Sequence, residues 1–461
     1  MKILVTGATG LVGKRLCREL AMRGHQLIVI TRSRAAAQQT IPAPHTAIEW
    51  QEAENQDYLL KSEALKNIDA VIHLAGVSIA ARRWTPEFKA ALRDSRIQVA
   101  KTLEHILKTT GNLRPKVMIS ASAIGYYGDC GDAPVDESHG PGRDFLAQLC
   151  QDWEHSLFET PEIEARKVAL RIGIVLGRCG GALEKMVGAF SSGIAAYLGS
   201  GKQWVSWIHV DDLVSLILES IENEAYTGPI NACSPNPVTQ KEMTRELATL
   251  LHSFATVPAP KPILRATQGQ VADALLSSQK IVPAKLQSLN FKFKYPKMQD
   301  ALQEILGQSY ALGFEEHRTQ CWVPQPIERV FEFFSEAKNL EAITPPWLHF
   351  KILSQSTPKI EKGTLITYQL RLHGIPLAWK TEITDWAPLQ MFTDTQLKGP
   401  YRVWRHTHAF TALQGGTLME DRVLYQLPMG RLGKTVAGAF VKKDVNQIFN
   451  YRSNRIFELL S

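Results

Sequence analysis

The chain lacks the cysteine spacing that builds a zinc site or a dithiol. Its six cysteines, Cys17, Cys130, Cys150, Cys179, Cys233 and Cys321, are scattered and none forms a Cys-x-x-Cys pair, which reads as a reduced, cytoplasmic chain. No signal peptide is expected. After Met1-Lys2 the apolar stretch is only Ile3-Leu4-Val5 before glycines interrupt it. No apolar run approaches the length of a membrane span. Charge of one sign is not concentrated either. The net charge of +7 is spread along the chain, so nucleic-acid binding gains no support, while small anionic molecules fit equally well. Repeats and low-complexity tracts are missing. What is present is length: 461 residues, 44% hydrophobic and 21% charged, more than one ordinary core needs, so two domains are expected.

The stretches 2–6, 26–31, 69–75, 116–121 and 167–176 read as buried strands, and 11–24 as a helix with Leu11, Leu16 and Leu20 on one face. A longer helix starts at the N-cap Thr85 with Pro86 behind it, and Phe88, Leu92, Val99, Leu103 and Ile106 recur at helical spacing. Strands alternating with helices predict an α/β, doubly wound parallel sheet. Near residue 310 the pattern changes. A last helix is expected at 297–307, a linker at 309–316, and then a strand at 317–323 and a helix at 326–337. Strands at 348–354, 364–372, 377–386, 390–397, 402–411 and 417–426 follow, with a closing helix over 433–460. This predicts domains over 1–308 and 317–461, the second of α+β class.

Between the first strand and the first helix stands Thr6-Gly7-Ala8-Thr9-Gly10-Leu11-Val12-Gly13. Gly7 permits a tight turn, Gly10 removes a side chain where a pyrophosphate meets the backbone, and Gly13 lets helix and strand pack closely. The free N–H groups and the dipole of the helix then favour phosphate. The second strand ends in Thr31-Arg32-Ser33-Arg34 without the acid that holds the ribose 2′-hydroxyl of NAD. Arginines in its place favour the 2′-phosphate of NADP(H) over the alternative that they are solvated surface charges.

TGATGLVG, DAVIHLAG, ISASAIGYYGD and WIHVDDLV together resemble the extended short-chain dehydrogenase/reductase superfamily. Arg83-Trp84, Asp94-Ser95-Arg96, Asp152-Trp153-Glu154, Gly199 to Leu213 and Asn236 to Thr239 make residues 1–305 similar to its atypical, nucleotide-sugar-epimerase-like branch. Some relatives in that branch are labelled sugar-nucleotide epimerases and others cell-division inhibitors. The resemblance implies that Gly7, Thr9, Gly10, Leu11, Val12 and Gly13 hold the cofactor phosphates, and Thr31 and Arg32 its adenosine ribose phosphate. His73, Leu74 and Ala75 would line it, Arg96 would approach it, and Ser122 would orient substrate.

One expected feature is missing. The superfamily's Tyr-x-x-x-Lys pair falls on Phe145 and Leu149, and no such pair occurs elsewhere in the chain. Tyr126 and Tyr127 are the available acids, with loop packing as the plainer role for each alone. Gln203, Trp204, Trp207 and His209 suggest a lid over a substrate. His209 with Asp211 and Asp212 also fits a loop-fixing and helix-capping role. Arg171 either binds a substrate anion or pairs with a carboxylate.

From PIERVFEFFSEAKNLEAITPPWL through GPYRVWRHTHAF and GGTLMEDRVLY to IFNYRSNRIFELL, residues 314–461 resemble the START-like, polyketide-cyclase-like helix-grip superfamily. That implies a curved sheet around a long helix and an apolar cavity, with Trp347, Trp379, Trp386, Tyr401 and Trp404 as lining or as core. His406 and His408 share a strand face, but no third ligand is evident and no metal is assigned. Asp421-Arg422 and Arg405 suggest an ion pair at the surface or cavity mouth. The expectation is an NADP(H)-binding epimerase or oxidoreductase-like protein with a small, possibly nucleotide-linked substrate and an apolar ligand in the second domain. A non-catalytic NADP(H) sensor and a lipid carrier are the alternatives.

Overall fold

The computed structural model describes residues 1–178, 180–190, 193–311 and 314–460; Cys179 and positions 312 and 313 of the expected linker lie outside the described residues. Its first strands are β1 (Lys2–Thr6), β2 (Gln26–Thr31), β3 (Thr46–Glu49), β4 (Ala70–His73), β5 (Val117–Ala123), β6 (Arg166–Ile172) and β7 (Gly228–Ala232). They form one sheet in the order β7-β6-β5-β4-β1-β2-β3, each neighbouring pair parallel. This is the Rossmann-type architecture expected from the alternating pattern. The strands are apolar on both sides because helices cover both faces. Leu4, Ile28, Val71 and Met118 lie in one core with Leu103, Ile106, Leu107 and Leu157 from the helices. The strand order reverses between β1 and β4, where such sheets open a crevice beyond their carboxyl ends.

Three helices frame that crevice: α1 (Leu11–Met22), α2 (Pro86–Thr109) and α3 (Phe145–Phe158). Thr85 caps α2 by accepting from the Phe88 N–H at 3.2 Å, and Asp144 caps α3 by accepting from the Ala147 N–H at 2.8 Å. The single strand expected over 167–176 is two pieces. Gly173 passes the Ser206 carbonyl so closely that a Cβ would stand 2.7 Å from its oxygen. Beyond it Ile174–Leu176 leaves the main sheet and pairs with Trp207–His209.

The chain falls into two compact units, Met1–Ala37 with His45–Gly307, and Gln308–Ser461 with Gln38–Pro44. The second unit contains β8 (Glu315–Val323), α4 (Ile327–Ser335), α5 (Ala337–Ile343), β9 (Lys351–Gln355), β10 (Leu365–Leu372), β11 (Ile375–Ala387), β12 (Met391–Lys398), β13 (Val403–Leu413), β14 (Gly416–Gln426) and α6 (Arg431–Leu460). Its antiparallel sheet runs β8-β14-β13-β12-β11-β10-β9. The helix expected over 326–337 ends early because Glu336 adopts an extended conformation, with φ −104° and ψ 112°. Phe331, Phe392, Phe410, Met419 and Ile456 share one core that joins α4, the sheet and α6. This is the helix-grip arrangement. Among the described residues no helix is long and apolar enough to cross a membrane.

Candidate functional site

The glycine turn after β1 is built as the sequence suggests. Gly7 has φ +75°, and a Cβ on it would meet the Leu74 carbonyl carbon at 2.5 Å. A Cβ on Gly13 would stand 2.2 Å from the Gly7 oxygen. Gly10 is different: its Cβ would meet only the Gly7 oxygen, at 3.3 Å, so packing alone does not demand glycine there. Gly10 is also the N-cap of α1 and gives no side-chain cap, so the first-turn N–H groups at Leu11, Val12 and Gly13 have no capping side chain to accept from them. Buried Thr31 ends β2. Arg34 is engaged, with its guanidinium 2.7 Å from Glu52 and donating to the Ala47 carbonyl. Arg32 is exposed and makes no hydrogen bond or ion pair among the described residues.

Past β4, Leu74 and Ala75 press their backbone against Gly7. His73 is buried, with Nδ1 2.8 Å from Thr6 Oγ1 and Nε2 3.3 Å from the Arg96 carbonyl oxygen. Burial holds its pKa down at about 4, so the ring is neutral near pH 7. The Arg96 guanidinium donates to the carbonyls of Leu92 at 2.9 Å and Val77 at 3.1 Å, covers the Trp153 ring at 4.9 Å and lies against Gly76. It therefore ties the segment after β4 to α2.

The centre of the crevice holds a buried network that sequence reading assembled only in part. Glu154, on α3, forms a two-point ion pair with Arg171 at 2.9 and 2.8 Å. Ser122 donates to the same carboxylate at 2.7 Å. Arg171 also donates to the Tyr127 hydroxyl at 2.9 Å, and that hydroxyl donates to Asn231 Oδ1 at 2.7 Å. Glu137 accepts from the Asn231 N–H at 3.0 Å. Of the two roles open to Arg171, pairing with a carboxylate is the one the structure shows. Burial alone would lower its pKa, but the hydrogen bonds to Glu154 and its charge raise it. Burial pushes the Tyr127 phenol up to about 12, against the opposing pull of Arg171. Tyr127 and Ser122 thus keep protons already committed to protein acceptors. Tyr126 is half-buried, with the Arg171 guanidinium 3.5 Å from its ring centre, and its hydroxyl makes no hydrogen bond among the described residues.

Glu154, Asn231 and Glu137 carried no assigned role in the sequence reading. For Glu154 a signal existed: Cys150, Trp153, Glu154 and Leu157 are the buried stripe of α3, so a carboxylate occupies a core position. Phe145 and Leu149 stand in an apolar cluster with Phe88, Leu92 and Trp84, which leaves the usual Tyr-x-x-x-Lys chemistry no foothold there.

The lid expected from Gln203 to His209 is corrected for most of its members. Trp207 is wholly buried, and its indole donates to the Asn236 carbonyl at 3.0 Å. His209 is buried, N-caps the helix Val210–Glu222 through Nδ1 and meets Glu304 with Nε2 at 3.1 Å. Gln203 is buried and donates to the Leu198 carbonyl at 2.9 Å. These residues fix the loop. Trp204 is half-buried, with its indole on Asp132 at 3.0 Å and Lys280 over its ring at 4.2 Å. It borders an open depression with Lys202 and Lys241.

In the second unit a cavity of about 170 Å³ is lined by Phe334, Leu348, Tyr368, Trp379, Tyr401 and Trp404 among others. Trp386 packs against the surrounding core, and Trp347 is exposed against Tyr451. Two expectations are overturned here. Asp421 forms no surface pair with Arg422. It is fully buried between His406 and His408, while Arg422 pairs with Glu316 and Arg405 with Asp385. A third candidate ligand beside the histidines does exist: Asp394, on the neighbouring strand β12. Its signal was a charged residue two positions from the inward Phe392, hence on the core face.

Residues 3–233 match the family described as NAD dependent epimerase/dehydratase. Residues 259–305 match a domain of unknown function, DUF1731. Residues 323–450 match the family described as polyketide cyclase / dehydrase and lipid transport. The chain is 40% identical over 310 residues to the chloroplastic epimerase family protein SDR39U1 homolog of Arabidopsis thaliana, covering 66% of this chain and 87% of that protein. Identity to the epimerase family protein Mb2239 of Mycobacterium bovis is 36% over 301 residues, covering 65% and 96%. The crystal structure of human epimerase family protein SDR39U1 with NADPH superposes with a TM-score of 0.58 at 30% identity, covering 66% of this chain and 99% of the human one.

Proposed function

The chain belongs to the NAD dependent epimerase/dehydratase family, and on that footing we propose that its first unit binds NADP(H) and performs epimerase- or oxidoreductase-type chemistry on a small, anionic or nucleotide-linked substrate. The cofactor, when bound, supplies the hydride chemistry. Gly7, Gly10 and Gly13 with the uncapped start of α1 would hold the pyrophosphate, Arg32 the 2′-phosphate, and Leu74 and Ala75 the wall past β4. Arg32 is the observation that carries the reading. It is exposed at the end of β2 with no protein partner among the described residues, where Arg34 is already paired. That the human relative was crystallised with NADPH supports it. Tyr126 is the phenol whose hydroxyl remains uncommitted, and it is assigned the proton. Titration calorimetry of the full chain with NADPH and NADH is the test. NADPH binds more tightly, and Arg32→Glu selectively weakens it by about 1–3 kcal/mol. Equal affinities end the proposal.

A second reading, an NADP(H) sensor without turnover, is favoured by one observation: Ser122 and Tyr127 both donate to protein acceptors. Oxidation of bound NADPH in single-turnover experiments with candidate ketone and nucleotide-sugar substrates separates the two, and Tyr126→Phe abolishes it only under the first. For the second unit, the aromatic and aliphatic cavity supports binding of an apolar ligand. Mass spectrometry of molecules released from natively purified chain tests that. Release of none, together with failure of an apolar fluorophore to bind, removes it.

A further inference from the structure

Three strands of the second unit bring two imidazoles and two carboxylates together, and the imidazoles and one of the carboxylates lie on a cavity wall. His406 and His408 lie two apart on β13 and face the same side, their rings 3.9 Å apart between centres. Asp421 Oδ1 on β14 meets His406 Nε2 at 2.9 Å and His408 Nδ1 at 2.7 Å. The opposite nitrogens face Asp394 on β12: its Oδ2 is 3.5 Å from His406 Nδ1 and 3.6 Å from His408 Nε2. One ligand atom from each of Asp394, His406 and His408 lies within 4.8 Å of the other two, slightly wider than the at most about 4.4 Å between donors on one ion with bonds of about 2.0–2.2 Å, so small side-chain shifts close the set around an ion. Thr381 holds the other Asp394 oxygen at 3.2 Å.

We propose that Asp394, His406 and His408 bind one divalent transition-metal ion, with zinc the default, and that Asp421 orients both imidazoles from behind. The chemistry of the set supports this. A carboxylate behind a histidine fixes its tautomer and strengthens the nitrogen turned to the metal; Asp421 does this for His406 through the hydrogen bond to Nε2 and faces His408 Nδ1 as a 2.7 Å charge contact. Three protein ligands leave coordination positions open, as in sites that take water or substrate. Asp394, His406 and His408 all line the cavity, so those positions open toward it. The same cavity is lined by Trp379, whose buried Nε1 has no acceptor among the described residues. A ligand with an oxygen head and an apolar body suits such a pocket. Arg452, with Nε 3.8 Å from Asp421 Oδ2, balances the second carboxylate.

The test uses the full chain, stripped with chelator, desalted and titrated with Zn2+ or Co2+ alone. One equivalent binds per chain, and Co2+ develops the visible absorption of a low-coordinate site. The double variant His406→Ala/His408→Ala loses that equivalent. Asp394→Asn weakens it at least tenfold, and Asp421→Asn weakens it by about 10–100-fold. His373→Ala, on the surface, changes nothing. Anomalous scattering from Zn2+-soaked crystals of the unaltered chain locates the ion without relying on variants that could fail to fold. Density among the three side chains supports the proposal. Ions found only elsewhere, uptake unchanged in the double variant, or no stoichiometric uptake by the unaltered chain overturns it and leaves a buried ion network alone.

Discussion

Glu154 and Arg171 show how much one buried pair can control. Both are almost wholly covered, and the carboxylate serves the guanidinium and the Ser122 hydroxyl together. Removing one charge leaves the other desolvated without an opposite charge, which costs about 3–5 kcal/mol. Glu154→Gln is therefore expected to lower the urea-unfolding free energy of the first unit by that order. Ser122→Ala removes one hydrogen bond and costs about 1 kcal/mol, with NADPH affinity nearly unchanged, because Ser122 lies near the end of β5 and not at the glycine turn. Loss of NADPH binding in that variant would move Ser122 into the cofactor site. His73 gives a pH signature. Its folded-state pKa is depressed to about 4 by burial against about 6.5 in the unfolded chain. Between those values the unfolded state binds more protons, so stability is complete above pH 6.5 and falls as pH drops toward 4, by at most roughly 3 kcal/mol. His73→Gln should flatten that part of a stability-against-pH curve. An unchanged slope would assign it to other groups.

At the scale of elements, the phosphate turn separates two jobs of glycine. Gly13→Ala drives a methyl into the Gly7 carbonyl oxygen, so it is expected to cost about 1–3 kcal/mol of stability and to weaken NADPH binding with it. Gly10→Ala meets only a 3.3 Å neighbour, so melting should shift little while NADPH affinity falls strongly if, as proposed, the pyrophosphate approaches the backbone there. Calorimetry alongside thermal melting distinguishes the two; equal behaviour of both variants would mean that the turn serves packing alone. The glycines and the strand around them were legible in the sequence because turn chemistry is local. So were the strands of the second unit, where alternation marks one buried face. Elements whose limits depend on distant chain were not legible. The break at Gly173 arises from the Ser206 backbone beside it, and the end of α4 from the extended Glu336. Trp207 and His209 read as a lid because aromatic and imidazole groups resemble ligand contacts, yet their polar atoms are used by Asn236, Asp211 and Glu304. Asp394 and Asp421 escaped notice as partners of the histidines because a cross-strand pairing cannot be seen until the register is known.

At the scale of the whole molecule, each compact unit has its own core: Leu4, Ile28, Val71 and Leu107 in the first, and Phe331, Phe392, Met419 and Ile456 in the second. The curated relatives from Arabidopsis and Mycobacterium match about the first two-thirds of the chain and most of their own length, which fits a first unit that folds by itself. The fragment 1–307 is therefore expected to be monodisperse and to bind NADPH within about twofold of the full chain, and the fragment 314–461 to unfold in its own cooperative transition. Ligands assign the transitions in the intact protein. A ligand that binds only the native form raises stability by RT ln(1 + [L]/Kd), about 2.7 kcal/mol at a hundredfold excess over Kd. Calorimetric scans with NADPH should thus raise one transition, and scans with Zn2+ the other. If NADPH raises both together, the units melt as one cooperative block, and loss of NADPH affinity in the fragment 1–307 would then show that the second unit completes the cofactor site.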